Sequence, residues 1–309
     1  MSSDDPSEPN AAEWLARNLD QPDLVVQGVP TSVASPTGSD AWQAPAALRR
    51  LLTRFSTFDG ENAVDLESLR AADWGDWLAS HLDVVEAHAL IERAAEALPT
   101  RPVYAFVGGD NSITRTLLRN LPHAPLARFG LVTFDARHDA RELPTDRPSN
   151  AGQTRQLIED GLAPEHIVQI GIHGFANSLP HRAWCEEQGI RIATRRMIEE
   201  HGIRRVVDEA LTYLEPEVDA IYVDCDLSVL DRAFAPACPG SRPGGLDPRQ
   251  LAAALVRCGA HDKVVAADFV EVDPIRDVAQ ITMMGLAHAL LSFAAGVAIR
   301  RARTGGEPT

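Results

Sequence analysis

No two cysteines in this chain have the spacing of a metal or redox pair. Cys185, Cys225, Cys238 and Cys258 stand far apart, so neither a zinc knuckle nor a thioredoxin-like motif is indicated. Gly-x-Ser-x-Gly, the Walker loop and Gly-x-Gly-x-x-Gly are also absent, which leaves acyl-serine, P-loop and Rossmann chemistry without support. Positive charge is scarce, with a formal net charge of -15. Nucleic acid and anionic membrane surfaces are therefore not expected partners. The most apolar late stretch, 285–299, is too short to span a bilayer and carries His288 and Ser292. It reads as a buried terminal helix. Neither an internal repeat nor a long linker divides the chain. The polar, acidic start reads as a disordered lead-in over residues 1–20 rather than a targeting peptide. Free cysteines without a signal sequence make the cytoplasm the expected location.

What is present suffices for a sizeable core: 309 residues, 45 % of them hydrophobic. Strand patterns fall at 23–29, 101–107, 131–134, 167–172, 190–193, 219–224 and 263–270. Helical patterns fall between them at 44–55, 83–98, 111–120, 149–160, 179–188, 195–214, 248–258 and 281–301. Residues 57–76 show no clear element. In the helix over 83–98, Asp83 reads as the cap, and Val84, Val85, Ala87, Leu90, Ile91 and Ala94 form the apolar face. In the helix over 149–160, Ser149 or Asn150 reads as the N-cap. The alternation predicts an α/β fold: three layers, α/β/α, with a mainly parallel, doubly wound sheet in one domain over 21–309.

Ligands bind at the carboxyl ends of strands in such sheets. There the chain places acids. Leu-Val-Thr-Phe at 131–134 runs into Asp135 and Asp139, and Ala-Ile-Tyr-Val at 220–223 runs into Asp224 and Asp226. Acids also cap helices and decorate loops. Two pairs, each directly behind a buried strand, favour a common site that needs positive charge within it. Hard divalent cations want such oxygen ligands. Gly-Gly-Asp-Asn-Ser at 108–112 lets the backbone turn sharply, although an ordinary strand-to-helix turn explains it equally well. Asp-Phe-Val-Glu at 268–271 offers a carboxylate to a cationic group, with a surface acid as the alternative. Of ten histidines, His138 and His173 follow strands and are candidates for acid–base or binding work. A hydrogen-bonded loop histidine is the plainer reading of each.

Taken together, Gly-Gly-Asp-x-Ser at 108–112, Asp-Ala-x-x-Asp at 135–139, Asp-x-Asp at 224–226, Pro-Gly-Gly at 243–245 and Val-Glu-Val-x-Pro at 270–274 resemble the ureohydrolase superfamily of arginases, agmatinases and formiminoglutamases. The resemblance runs from about residue 25 to the end. The segment 147–158 looks most like the formiminoglutamase-like branch. The resemblance implies two bridged Mn2+ ions and a hydroxide held on them, which attacks the carbon of a guanidinium or formimino group. It also implies trimers or hexamers. By position, Asp135 and Asp224 would bridge the metals, Asp139 would bind the first and orient the nucleophile, and Asp226 would bind the second. Glu271 would hold the cationic nitrogen group of a small amidine or guanidine substrate, with Asn150 and His173 assigned to substrate binding.

Two positions depart from that pattern. Asn111 stands where the family commonly has a histidine ligand of the first metal; an amide oxygen is a weaker donor. Arg137 stands where it has a histidine ligand of the second metal, and arginine does not ligate. His138 is its neighbour, but on an extended chain it faces the other way. The histidine of the family's Asn-x-His-Gly segment is replaced at 150–153 by Asn-Ala-Gly-Gln. The expectation is a metal-dependent hydrolase of linear amidine C–N bonds with an altered site for one or two Mn2+ ions, the second disfavoured by Arg137 and the first held by Asn111, Asp135, Asp139 and Asp224. Its rival is an inactive homologue with a binding or assembly role, in which Arg137 replaces a metal.

Overall fold

The structure, a computed structural model, describes residues 9–36 and 38–305. Part of the lead-in expected over 1–20 lies outside the described residues. The rest is corrected: Ala11–Ala16 forms helix α1, capped by Asn10, and buries Trp14 and Leu15. A Trp side chain supplies the apolar area that anchors so short a helix.

The chain then alternates. Strand β1 (Leu24–Val29) is followed by α2 (Ala44–Leu51) and a small antiparallel pair, β2 (Phe58–Asp59) and β3 (Val64–Asp65). Next come β4 (Ala71–Asp76), α3 (Val84–Glu96), β5 (Val103–Gly108), α4 (Ile113–Asn120) and β6 (Phe129–Phe134). The second half runs α5 (Gln153–Asp160), β7 (Ile167–Ile172), α6 (Leu179–Gln188), β8 (Arg191–Thr194), α7 (Arg195–His201) and α8 (Ile203–Leu214). It closes with β9 (Ala220–Asp226), α9 (Pro248–Gly259), β10 (Val264–Val270) and α10 (Ile281–Arg303). Eight strands form one sheet in the order β4-β1-β5-β10-β9-β6-β7-β8, and every pairing in it is parallel.

Both faces of the sheet are covered, which makes the strands near-continuous apolar runs. Successive side chains alternate between two cores. On β5, Val103, Ala105 and Val107 join the core with α2, α8, α9 and α10, while Tyr104 and Phe106 join the core with α3 and α4. This is the expected three-layer α/β/α architecture.

Some local expectations change. Residues 57–76 do contain structure, including the edge strand β4; its sequence, Ala-Ala-Asp-Trp-Gly-Asp, is half exposed and so lacks an apolar run. Asp83 caps α3 through the amides of Val85 and Glu86, but the buried face is Val84, Ala87, His88, Ile91 and Ala95, and Val85 is exposed. Helix α5 begins only at Gln153, and its N-cap is Gly152, which has no side chain to cap with; Asn150 bonds to Glu271 instead. Helix α10 is longer than its apolar centre. By length and composition it is able to cross a membrane, yet most of its apolar window is buried in the fold.

The sheet registers bring the acids together. Asp224 of β9 pairs with Asp268 of β10 on one side and Thr133 of β6 on the other. Asp135, two residues beyond Thr133, therefore ends level with Asp226.

Candidate functional site

The carboxyl ends of β5, β6, β9 and β10 form one buried acidic centre. Asp135, Asp139, Asp224, Asp226 and Glu271 are all at most 6 % exposed. Close backbone contacts build it. A side chain at Gly109 would meet the Thr31 carbonyl oxygen at 1.5 Å, so only glycine allows the turn after β5 to approach the loop after β1. The Gly109 carbonyl accepts from the Glu271 amide at 2.8 Å and thereby ties the end of β10 to the same turn. Asp139 and Glu271 both adopt left-handed backbone, at φ 43° and 68°. Non-glycine residues rarely sit there unless their surroundings hold them, and functional sites are where such strain collects.

Each acid has definite partners. Asp135 Oδ1 accepts from the Arg137 amide and the Ser228 hydroxyl, both at 2.9 Å. Asp226 Oδ1 accepts from the Ser228 amide at 2.6 Å. Asp224 Oδ2 receives a long bond from Gln153 Nε2 at 3.4 Å, while Asp224 Oδ1 is buried without a hydrogen-bond partner among the described residues. Glu271 Oε1 accepts from the Asn111 amide and from Asn150 Nδ2, both at 2.9 Å. Beneath the acids, Asp268 accepts from Thr114, Tyr222 and the Cys225 amide. Sequence reasoning missed Thr114, Ser228, Gln153 and this underlying role of Asp268. Only the register of β9 against β10 could have exposed it.

Arg137 turns inward. Its Nε lies 3.5 Å from Asp139 Oδ1 and its Nη2 lies 3.8 Å from Asp226 Oδ2. Asp139 first, then Asp135 and Asp226, hold the guanidinium's proton more tightly than usual. Burial, reinforced by mutual repulsion, pushes the carboxyls of Asp139, Asp224 and Asp226 well above the ordinary carboxylate range. The centre thus gathers more carboxyl groups than one guanidinium can keep ionised.

That donor set has the oxygen chemistry that hard divalent cations favour. The Asp224 Oδ1 atom lacks a partner, and Asp135, Asp139 and the Asn111 amide stand around the same strand ends. Beside them, the Arg137 guanidinium lies between Asp139 and Asp226. Among the described residues, no three His, Cys, Asp or Glu side chains already converge as a cation site. The Asn111 amide and the Arg137 guanidinium stand beside the carboxylates.

The two candidate histidines face elsewhere. Gln169 Nε2 donates to the His138 carbonyl at 3.1 Å, so its Oε1, 2.6 Å from His138 Nδ1, accepts from that ring. His173 Nε2 donates to the Val229 carbonyl at 2.9 Å. Both rings help line a neighbouring cavity with Asn177, Arg182 and Arg195, and among the described residues no acid lines it. The sequence placed His138 with the catalytic acids; the structure turns its ring toward β7. Asn150 does reach the centre, through Glu271.

Comparison with known proteins bears on the family and the fold. The arginase family profile matches residues 22–296. The formimidoylglutamase of Halalkalibacterium halodurans is 36 % identical over 293 residues, spanning 93 % of this chain and 90 % of that protein. The crystal structure of formimidoylglutamase from Bacillus subtilis has a TM-score of 0.89 at 29 % identity, covering 97 % of this chain and 95 % of that one. A Trypanosoma cruzi formiminoglutamase solved with Mn2+ shares the fold, with a TM-score of 0.81 at 21 % identity over 95 % of this chain and 99 % of that one. The chain belongs to the arginase family.

Proposed function

We propose that this protein hydrolyses a C–N bond of a small linear amidine, of the formimino type, around a single Mn2+ ion, with Arg137 as the second positive charge of the site. The observation that carries this reading is the position of the Arg137 guanidinium between Asp139 and Asp226. Asn111, Asp135, Asp139 and Asp224 would hold the ion, which supplies Lewis acidity and makes water acidic enough to react near neutral pH.

The chain's own groups do the rest. Glu271 receives the cationic amidine: its Oε1 is anchored by Asn111 and Asn150, which leaves Oε2 for a charge-assisted bond to the substrate nitrogen. Asp139, fixed by its left-handed backbone, orients the attacking water, takes its proton and passes it to the departing nitrogen. Arg137 remains protonated throughout and keeps the carboxylates from repelling one another. Arg182 and Arg195, in the adjoining cavity without acids, suit the carboxylates of a glutamate-derived amidine. Four buried free thiols suit a reducing compartment such as the cytoplasm.

Purified protein loaded with Mn2+ tests the reading, with formimidoylglutamate compared against an amidine that lacks carboxylates. Hydrolysis of the first with one equivalent of metal is expected. The same Arg137 contacts also favour a non-catalytic protein whose acidic centre needs no metal. Full stability without bound metal, together with no turnover of either amidine, would select that reading instead.

A further inference from the structure

One hydroxyl proton decides which end of the Asn111 amide faces the acidic centre. Thr114, in the first turn of α4, is fully buried. Its Oγ1 lies 2.6 Å from Asp268 Oδ2 and 2.8 Å from Asn111 Oδ1. Both are acceptors, and a hydroxyl has a single proton to give. The shorter contact, to a carboxylate, is the stronger claim on it. Tyr222 donates to the same Oδ2 at 2.8 Å, so Asp268 gathers donors and offers none. Thr114 Oγ1 is then left with lone pairs toward Asn111. The amide atom that satisfies it is the Nδ2 donor.

An amide exchanges its nitrogen and oxygen by a half turn that barely moves its heavy atoms. After that turn, Asn111 Oδ1 occupies the position 3.4 Å from Asp139 Oδ2 where Nδ2 is drawn. Two buried oxygens facing each other at this spacing repel unless a cation lies between them. Hydrogen bonding from beneath thus turns the amide into an oxygen ligand. We propose that Thr114 is a positioning residue which, braced by Asp268, orients the Asn111 carbonyl oxygen toward a hard divalent ion. This inference rests on the single-ion reading above and deepens it. A histidine at position 111 would coordinate through a ring nitrogen, whereas an asparagine needs its ends told apart.

Calorimetric titration of Mn2+ into the chelator-treated full-length chain tests this directly, with the Mn2+ paramagnetic resonance signal as a second measure of bound ion. Thr114→Val keeps the side-chain shape and removes the hydroxyl. It should weaken Mn2+ binding by about 10–100-fold, the range seen when partners of metal ligands are removed. Thr114→Ser should restore the affinity. In an Asn111→Asp background both outer atoms are oxygens, so Thr114→Val should then change affinity less than about threefold, a residual packing effect smaller than the loss of a ligand's partner. Thermal melting of each variant shows that it has folded. Uptake by the unmodified chain that is indifferent to Thr114→Val overturns this proposal alone. An equal loss in both backgrounds also overturns it, since Thr114 would then act by packing. No uptake by the unmodified chain overturns the single-ion reading and this proposal with it.

Discussion

Arg137 Nη2 lies 3.8 Å from Asp226 Oδ2, so a cation carried on the loop after β6 neutralises a carboxylate at the end of β9. In the single-ion reading proposed above, both groups stand where the resemblance implies a second metal, and the contact makes Arg137 the residue on which metal content would depend.

Arg137→His should therefore add a ligand and release the space the guanidinium fills. Elemental analysis is expected to find at most one equivalent of Mn2+ in the unmodified chain and more in the variant. Two equivalents in the unmodified chain would mean that the guanidinium swings away in solution. No gain in the variant would place the defect deeper than this residue.

Glu271→Gln keeps the contacts with Asn111 and Asn150 nearly isosteric but removes the negative charge. Binding of an amidine ligand should weaken by roughly 1.5–3 kcal/mol, the worth of a charge-assisted hydrogen bond. Calorimetry with a non-hydrolysed guanidine checks this, and unchanged affinity removes Glu271 from substrate binding.

An ion held only by the folded state stabilises it by about 2.7 kcal/mol when present at a hundred times its Kd. Thermal melting should accordingly rise on adding Mn2+. In Asp224→Asn the rise should shrink, because Asp224 Oδ1 is the donor left without a partner. An equal rise in both proteins would place the ion elsewhere.

His88 gives a pH dependence with a definite sign. Burial, helped by the Arg115 charge, lowers its pKa from 6.5 to about 4. The unfolded chain therefore binds the extra proton more readily between those values, and stability falls as the pH drops from about 6.5 to about 4. The loss is on the order of 3 kcal/mol, at 1.36 kcal/mol per unit. Asp110, raised to about 7 chiefly by burial, acts in the opposite direction over much of this range. Comparing denaturation of the unmodified chain with His88→Gln isolates the histidine. Gln can still donate to Ser112, and its acid slope should be flatter. Parallel slopes would show that His88 already titrates normally.

How much of this was legible in the sequence differs from feature to feature. The parallel sheet was legible because strands buried on both faces must be continuously apolar, as in β6 and β9. The edge strand β4 was not, because a half-exposed strand can carry Asp73, Gly75 and Asp76 and look like a loop. Asp135, Asp139, Asp224 and Asp226 were legible as a group, since they lie at or just beyond the ends of buried strands where the fold collects ligands, whereas Glu271 by itself read equally well as a surface acid.

Tertiary structure alone decided what those residues do to one another. Both an inward and an outward Arg137 were compatible with the sequence, and only the packed loop puts its guanidinium between Asp139 and Asp226. His138 looked like a candidate for acid–base work, but the packing of its loop against β7 brings its ring to Gln169. Thr114 carried no signal, since a threonine in the first turn of a helix is ordinary. Its relation to Asp268, 154 residues away, exists only because β5 and β10 lie side by side. Local patterns are set by spacing along the chain; the distances that govern charge and proton sharing are set by which strands become neighbours.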